Sequence, residues 1–182
     1  KISDLCGAES MTFHAAFYMK DSPFDVFDLV EKSMNVIEER LSRLDIEIEL
    51  RPELTGKTSQ FGSLDELITL TKNVSSCAPC MDFSHLYART GKYNSEEEFK
   101  EVLTRIKDEI GEASLSNMHI HISGISSNSK GDLKHLNLGK SKFNWQALLK
   151  SLKDFNCGGY IICNSPNLED DALLMKEFYN TL

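Results

Sequence analysis

The segment Pro79-Cys80-Met81-Asp82-Phe83-Ser84-His85 runs from a short apolar stretch into a carboxylate and then an imidazole. After a loop through Gly91, the capping box Ser95-Glu96-Glu97-Glu98 opens an amphipathic stretch with Phe99, Val102, Leu103 and Ile106 on one face. This reads as a strand, a loop and a capped helix, with metal-ligating residue types at the carboxyl end of the strand.

The same pattern recurs on both sides. Residues 11–17 form a strand candidate, and Ser22-Pro23-Phe24-Asp25 then starts a helix with Ser at N-cap, Pro at N1 and a carboxylate at N3. Val26, Leu29, Val30 and Ile37 supply its apolar face. Residues 46–51 form a second strand, followed by a loop with Gly56 and Gly62 and by the capping box Ser63-Leu64-Asp65-Glu66. Residues 118–122 form a strand that leads into a long polar loop, 126–142, and a helix carrying Leu148, Leu149, Leu152 and Phe155. Gly158-Gly159 ends that helix before a last strand, 160–163, and Ser165-Pro166-Asn167 leads into the final helix. Five strand-plus-helix units with no linker predict an α/β fold with a parallel sheet and right-handed crossovers, and residues 1–182 as a single domain.

Periodicity does not separate an open doubly wound sheet from part of a (β/α)8 TIM barrel. The polar residues at the strand ends do bear on it. His14, Glu53, Asp82 with His85, and His121 each fall at or just past the end of an apolar run, and His135 lies in the long loop. Ligands from successive strands that converge on one centre fit a barrel mouth, whereas an open sheet concentrates its site at one switch point. Glu47, Glu49, Arg51 and Glu53 alternate with Ile46, Ile48 and Leu50, which implies a wet interior face or an edge strand.

With 41% hydrophobic and 26% charged residues, the chain has the balance of a domain with a proper core. No apolar stretch approaches a membrane span and no signal-peptide pattern opens the chain. Five scattered cysteines, Cys6, Cys77, Cys80, Cys157 and Cys163, argue against a disulfide framework and suit the cytoplasm. A net charge of −8 opposes non-specific adhesion to polyanions. Bound divalent ions would alter the local field, and Arg89, Lys92, Lys130, Lys134, Lys140 and Lys142 share segments with the ligand candidates; the alternative is a solvated basic fringe.

His119-Ile120-His121 places two imidazoles on one face of a strand, so that both or only the outer one reach an ion; two hydrogen-bonded histidines are the plainer reading. Cys77-Ala78-Pro79-Cys80 has redox or zinc-pair spacing. It lacks a second cysteine pair and precedes a strand instead of opening a helix, so a structural role is favoured.

The ordered set Phe13-His14, Arg51-Pro52-Glu53, Asp82-Phe83-Ser84-His85, His121-Ile122-Ser123, His135-Leu136-Asn137-Leu138-Gly139 and Cys163-Asn164-Ser165-Pro166-Asn167 resembles the endonuclease IV family, AP endonuclease family 2, among the xylose isomerase-like TIM barrels. The resemblance covers the fourth through eighth βα units of that barrel. It implies a hydrolase of DNA repair that cleaves on the 5′ side of abasic sites with up to three zinc ions. DNA containing abasic sites would be the partner, and no obligate protein partner is implied. By the same resemblance His14 and Glu53 would serve a first zinc, Glu53 would bridge to a second completed by Asp82 and His121, and His85 and His135 would hold a third. Such ions acidify water and neutralise phosphate charge.

Two positions depart from the family pattern. Asn164 stands at the strand end where the family carries a catalytic glutamate ligand, so Glu53 and Asn164 are the implied catalytic positions. The family's aspartate two residues before the last histidine is Leu133 here, with Asp132 one residue away as its substitute through a loop shift. Alternatives are a sugar isomerase or epimerase on the same barrel, using manganese or magnesium, and an inert barrel fragment. The loop bearing His135 favours the nuclease, because a two-metal isomerase has no need of that histidine.

Overall fold

The structure, a computed structural model, describes residues 2–182. By internal packing the chain divides into two compact units, Lys1–Thr55 with Ser59–Cys80, and Gly56–Thr58 with Met81–Leu182.

The first unit contains α1 (Ile2–Leu5), β1 (Ser10–Phe13), α2 (Pro23–Arg43), β2 (Glu49–Pro52) and α3 (Leu64–Asn73). The helix starts follow the sequence signals. Ser22 accepts from the Asp25 amide with Pro23 in the first turn, and Ser63 and Glu66 complete a reciprocal capping box. The buried stripe of α2 is Val26, Val30 and Met34, so Leu29 and Ile37 of the expected face are exposed beside an open apolar groove with Phe13 and Ala16. Strand β1 is shorter than expected and ends at Phe13.

Strands β1 and β2 pair in parallel from Ser10↔Glu49 to Phe13↔Pro52. On its other side β2 makes parallel bridges, Leu50↔Cys77 and Glu53↔Cys80. Partners on both sides rule out the edge-strand reading of the charged alternation. Arg51 is buried, and its guanidinium donates to the Glu49 carboxylate through Nε at 2.7 Å and to the Pro79 carbonyl through Nη1 at 3.3 Å. A buried charge persists only when so compensated.

The second unit continues through β3 (Cys80–Asp82), α4 (Phe83–Thr90), α5 (Glu96–Ile110), α6 (Ala113–Ser116), β4 (Met118–Ile122), β5 (Gly124–Asn128), β6 (Gly131–Leu136), a 3-10 turn at Leu138–Lys140, α7 (Trp145–Asp154), β7 (Gly159–Cys163) and α8 (Glu169–Thr181). Its sheet has the order β3-β4-β7, and β4 and β7 run parallel from Met118↔Gly159 to Ile122↔Cys163. Phe99, Val102, Leu103 and Ile106 of α5 are all buried, as their spacing requires, each contributing about 1.5–3 kcal/mol.

Two expectations are corrected in this unit. His85 does not enter a loop: Asp82 caps α4 at once, its carboxylate accepting from the His85 amide at 2.7 Å, and Gly91 ends that helix in the left-handed conformation. The polar loop 126–142 is largely a β-hairpin, β5 and β6, running antiparallel. Its strands carry Ser126, Ser127, Asn128, Asp132 and Lys134, so no apolar alternation announces them.

The hairpin is held at both ends. At its base the Ser141 hydroxyl accepts from the Ile125 amide and donates to the Ile125 carbonyl, both at 3.0 Å. At its tip Gly131, φ 106°, bridges to Lys57, and a Cβ there would lie 2.1 Å from the Gly56 carbonyl oxygen. Gly131→Ala should therefore cost about 1–3 kcal/mol and speed amide exchange across 124–136, measured by hydrogen exchange and thermal melting. Unchanged protection would show that the tip contact does not hold the hairpin.

All five cysteines are unbridged. Burial pushes the Cys77 thiol up to about 11, with a weaker opposing effect of its hydrogen bond with Thr71, and burial likewise pushes Cys157 up to about 11. Both raised values keep these thiols protonated and inert at neutral pH. Maleimide labelling of the native chain at pH 7 should accordingly be fastest at the exposed Cys6, with Cys77 and Cys80 reacting only on unfolding. Rapid native labelling of Cys77 would reinstate a redox pair.

Candidate metal centre

In the first unit, β1 and β2 lie side by side, and the residue just past each strand is a ligand candidate. His14 Nε2 stands 3.4 Å from Glu53 Oε2. The imidazole is exposed, and the carboxylate is buried. An imidazole nitrogen and a carboxylate oxygen of this kind make an ordinary pair of zinc donors.

The second unit holds the other candidates. Asp82 is fully buried at the end of β3, and His85, one helical turn on, brings Nδ1 to 3.4 Å from Asp82 Oδ2. The carboxylate thus has two roles, one oxygen capping α4 and the other facing the imidazole. Burying it with no positive or donor group nearby would be costly. Residues that sequence reasoning missed fix the backbone here. The Ser84 hydroxyl donates to the Ser123 carbonyl at 2.8 Å and accepts from the Ser123 amide at 2.9 Å, linking the start of α4 to the end of β4 beside His85 and His121. The available signal was that Ser84 directly precedes His85 and Ser123 follows His121 by two residues.

His121 is buried on β4, with His119 on the same face and the two rings 5.2 Å apart. His119 also lies against Tyr160, its ladder partner on β7, with ring centroids 6.5 Å apart. His135, on β6 of the hairpin, is brought edge-on to His85, with ring centroids at 5.4 Å.

The hairpin register also places Asp132. Ile125 pairs with His135 and Ser127 pairs with Asp132, with a register shift between Ser126 and Ser127. Ile125 and Ser127 are two residues apart and share a face, so their partners share it too, although Asp132 and His135 are three apart in sequence. The bulge absorbs the additional residue, Leu133, which is exposed. This register shift is what lets residues three apart in sequence share a face. Asp132 packs on Gly56, where a Cβ would lie 2.5 Å from Asp132 Oδ1.

Asn164 follows β7 and extends the ladder by one step, its amide donating to the Ile122 carbonyl at 2.9 Å. Its carbonyl oxygen lies 3.0 Å from His135 Nδ1, and its side-chain Nδ2 lies 3.1 Å from His121 Nδ1. Just beyond, Asp171 accepts from the Leu138 amide at 2.7 Å and from Asn167 Nδ2 at 3.0 Å, tying α8 to the turn after His135. Burial opposes ionisation of Asp171, but the hydrogen bonds from Asn167, Leu138 and Ser165 outweigh it and hold the carboxyl below the ordinary range.

The carboxylates and imidazoles within each unit fit a divalent ion of zinc or manganese type. Asn164 does not: a neutral amide is a poor zinc ligand, and its nitrogen is turned toward His121. Among the described residues no helix is long and apolar enough to cross a membrane.

Comparison with known proteins bears on the fold and family. A family profile described as xylose isomerase-like TIM barrel matches residues 1–180. An uncharacterised protein of Methanocaldococcus jannaschii is 39% identical over 183 residues, taking in 100% of this chain and 66% of the relative. A probable endonuclease 4 of Aster yellows witches'-broom phytoplasma is 29% identical over 144 residues, 77% of this chain and 48% of the relative. The chain thus spans less than two thirds of the length of either relative. In fold it is similar to 3-keto-D-glucoside 4-epimerase from E. coli, with a TM-score of 0.64 at 17% identity, over 99% of this chain and 66% of that one. Alternating strands and helices with ligand candidates at the strand ends, together with a family match running almost end to end, lead to one conclusion: the chain belongs to the xylose isomerase-like TIM barrel family.

Proposed function

We propose that this chain carries part of the metal-binding machinery of a zinc-dependent phosphodiesterase that cleaves DNA on the 5′ side of abasic sites. The observation that carries this reading is the hairpin of the second unit, which presents His135 to His85 and keeps Asp132 on the same face through a bulge. A sugar isomerase with one or two ions has no use for that histidine. The similarity to a probable endonuclease 4 supports the same reading.

His14 with Glu53, Asp82 with His85, and His135 with Asp132 are the residues that would hold the ions, while His121 meets the Asn164 side chain. When bound, such ions would supply acidified water and take up phosphate charge. The chain's own residues do the rest. Asp82 holds His85 at a fixed distance while capping α4, and the Ser84–Ser123 link keeps the ends of β3 and β4 in place. Lys130 and Lys134, exposed on the hairpin, supply positive charge to an otherwise acidic chain and would meet the phosphate backbone. Arg89, whose guanidinium donates to the Lys57 carbonyl at 2.5 Å, fixes the segment against which the hairpin tip rests.

Metal analysis of the purified protein and incision of a synthetic duplex with one abasic site test the reading. Zinc should co-purify, and the duplex should be cut on the 5′ side of the lesion. Asp82→Asn keeps an oxygen to cap α4 but removes the anionic ligand, and should lower zinc affinity and incision by about a hundredfold, the upper scale for disturbing a ligand shell. One manganese or magnesium per chain, with epimerisation of a ketose and no incision, would overturn the proposal in favour of the sugar-isomerase alternative.

A further inference from the structure

The hydrogen bonds of Asn164 distinguish the two imidazoles beside it. A carbonyl oxygen can only accept, so the 3.0 Å contact from His135 Nδ1 to the Asn164 carbonyl requires the proton of neutral His135 to sit on Nδ1. Its lone pair is then on Nε2. The contact from the Asn164 side chain to His121 has the opposite polarity: the amide nitrogen donates, so His121 Nδ1, at 3.1 Å, accepts and the ring proton sits on Nε2. One residue thus acts on two rings through different groups, its main chain on His135 and its side chain on His121.

We propose that Asn164 is a positioning residue that holds His135 and His121 in opposite ring tautomers, presenting the His135 Nε2 lone pair to an ion and occupying the His121 lone pair with a hydrogen bond. His135 then remains a metal ligand. His121 does not, and the ion that a carboxylate at position 164 would help to hold is replaced by the Asn164–His121 contact. A second-sphere hydrogen bond commonly fixes the tautomer of a ligating histidine; here the same kind of bond withdraws one. The inference rests on the metal-site reading above, but its first test needs neither metal nor DNA.

Two-bond proton–nitrogen correlation spectra of the metal-free protein at neutral pH should show His135 protonated at Nδ1 and His121 at Nε2. Asn164→Ala keeps the main-chain carbonyl, so the His135 tautomer should persist while His121 loses its preference. Asn164→Asp is nearly isosteric and its carboxylate can only accept, so it should move the His121 proton to Nδ1 and raise zinc affinity by roughly tenfold or more. A merely structural role for Asn164 would not yield this pairing of responses. An Nδ1–H His121 in the unaltered protein would overturn the proposal, as would an Asp variant with unchanged tautomer and unchanged zinc affinity. If the tautomers are as expected but the protein neither binds zinc nor cuts the duplex, the positioning role stands and the phosphodiesterase reading falls.

Discussion

The parallel ladder between β4 and β7 sets the geometry of the candidate site in the second unit. It carries His121 on one strand and ends on the other with Asn164, whose amide reaches the Ile122 carbonyl at 2.9 Å. That one bond sets the orientation of the following peptide, so the Asn164 carbonyl faces His135 and its side chain faces His121. Slippage by one residue would turn every side chain of β7 to the other face of the sheet. The distances among the imidazoles depend on register before they depend on side-chain choice.

Much of the fold was legible because its signals are local. Ser22 with Pro23, and the boxes at Ser63 and Ser95, mark helix starts through hydrogen bonds made within a few residues, and the structure makes those bonds. The buried face of α5 followed from spacing alone. The hairpin was not legible, since its strands are polar on both faces and are held by backbone pairing, by Ser141 and by the fit of Gly131 against Gly56. The face of α2 was read only in part, because apolar spacing shows which residues share a side but not how much of that side is covered.

The site divides along the same line. Residue types at strand ends singled out His14, Glu53, Asp82, His85 and His121 as candidates without any knowledge of distances. Ser84, Ser123 and Asp171 stayed hidden because their roles lie in bonds between segments distant in sequence. Arg51 shows the limit of pattern reading in another way. Alternation gave a polar face to β2, but only the burial of Arg51 and Glu53 shows that its far end is interior, where Glu49 and the Pro79 carbonyl compensate the guanidinium.

The bulge at Leu133 bears on how such chains are recognised. A motif that fixes the number of residues between an aspartate and the following histidine depends on spacing alone, and here Asp132 stands three residues before His135. The register nevertheless puts both residues on one side of the hairpin. A single residue inserted into a strand pair can thus change the spacing of its neighbours while leaving them on one face. A motif written in terms of which face a residue occupies would survive such changes and gather relatives that a motif written in intervals would lose.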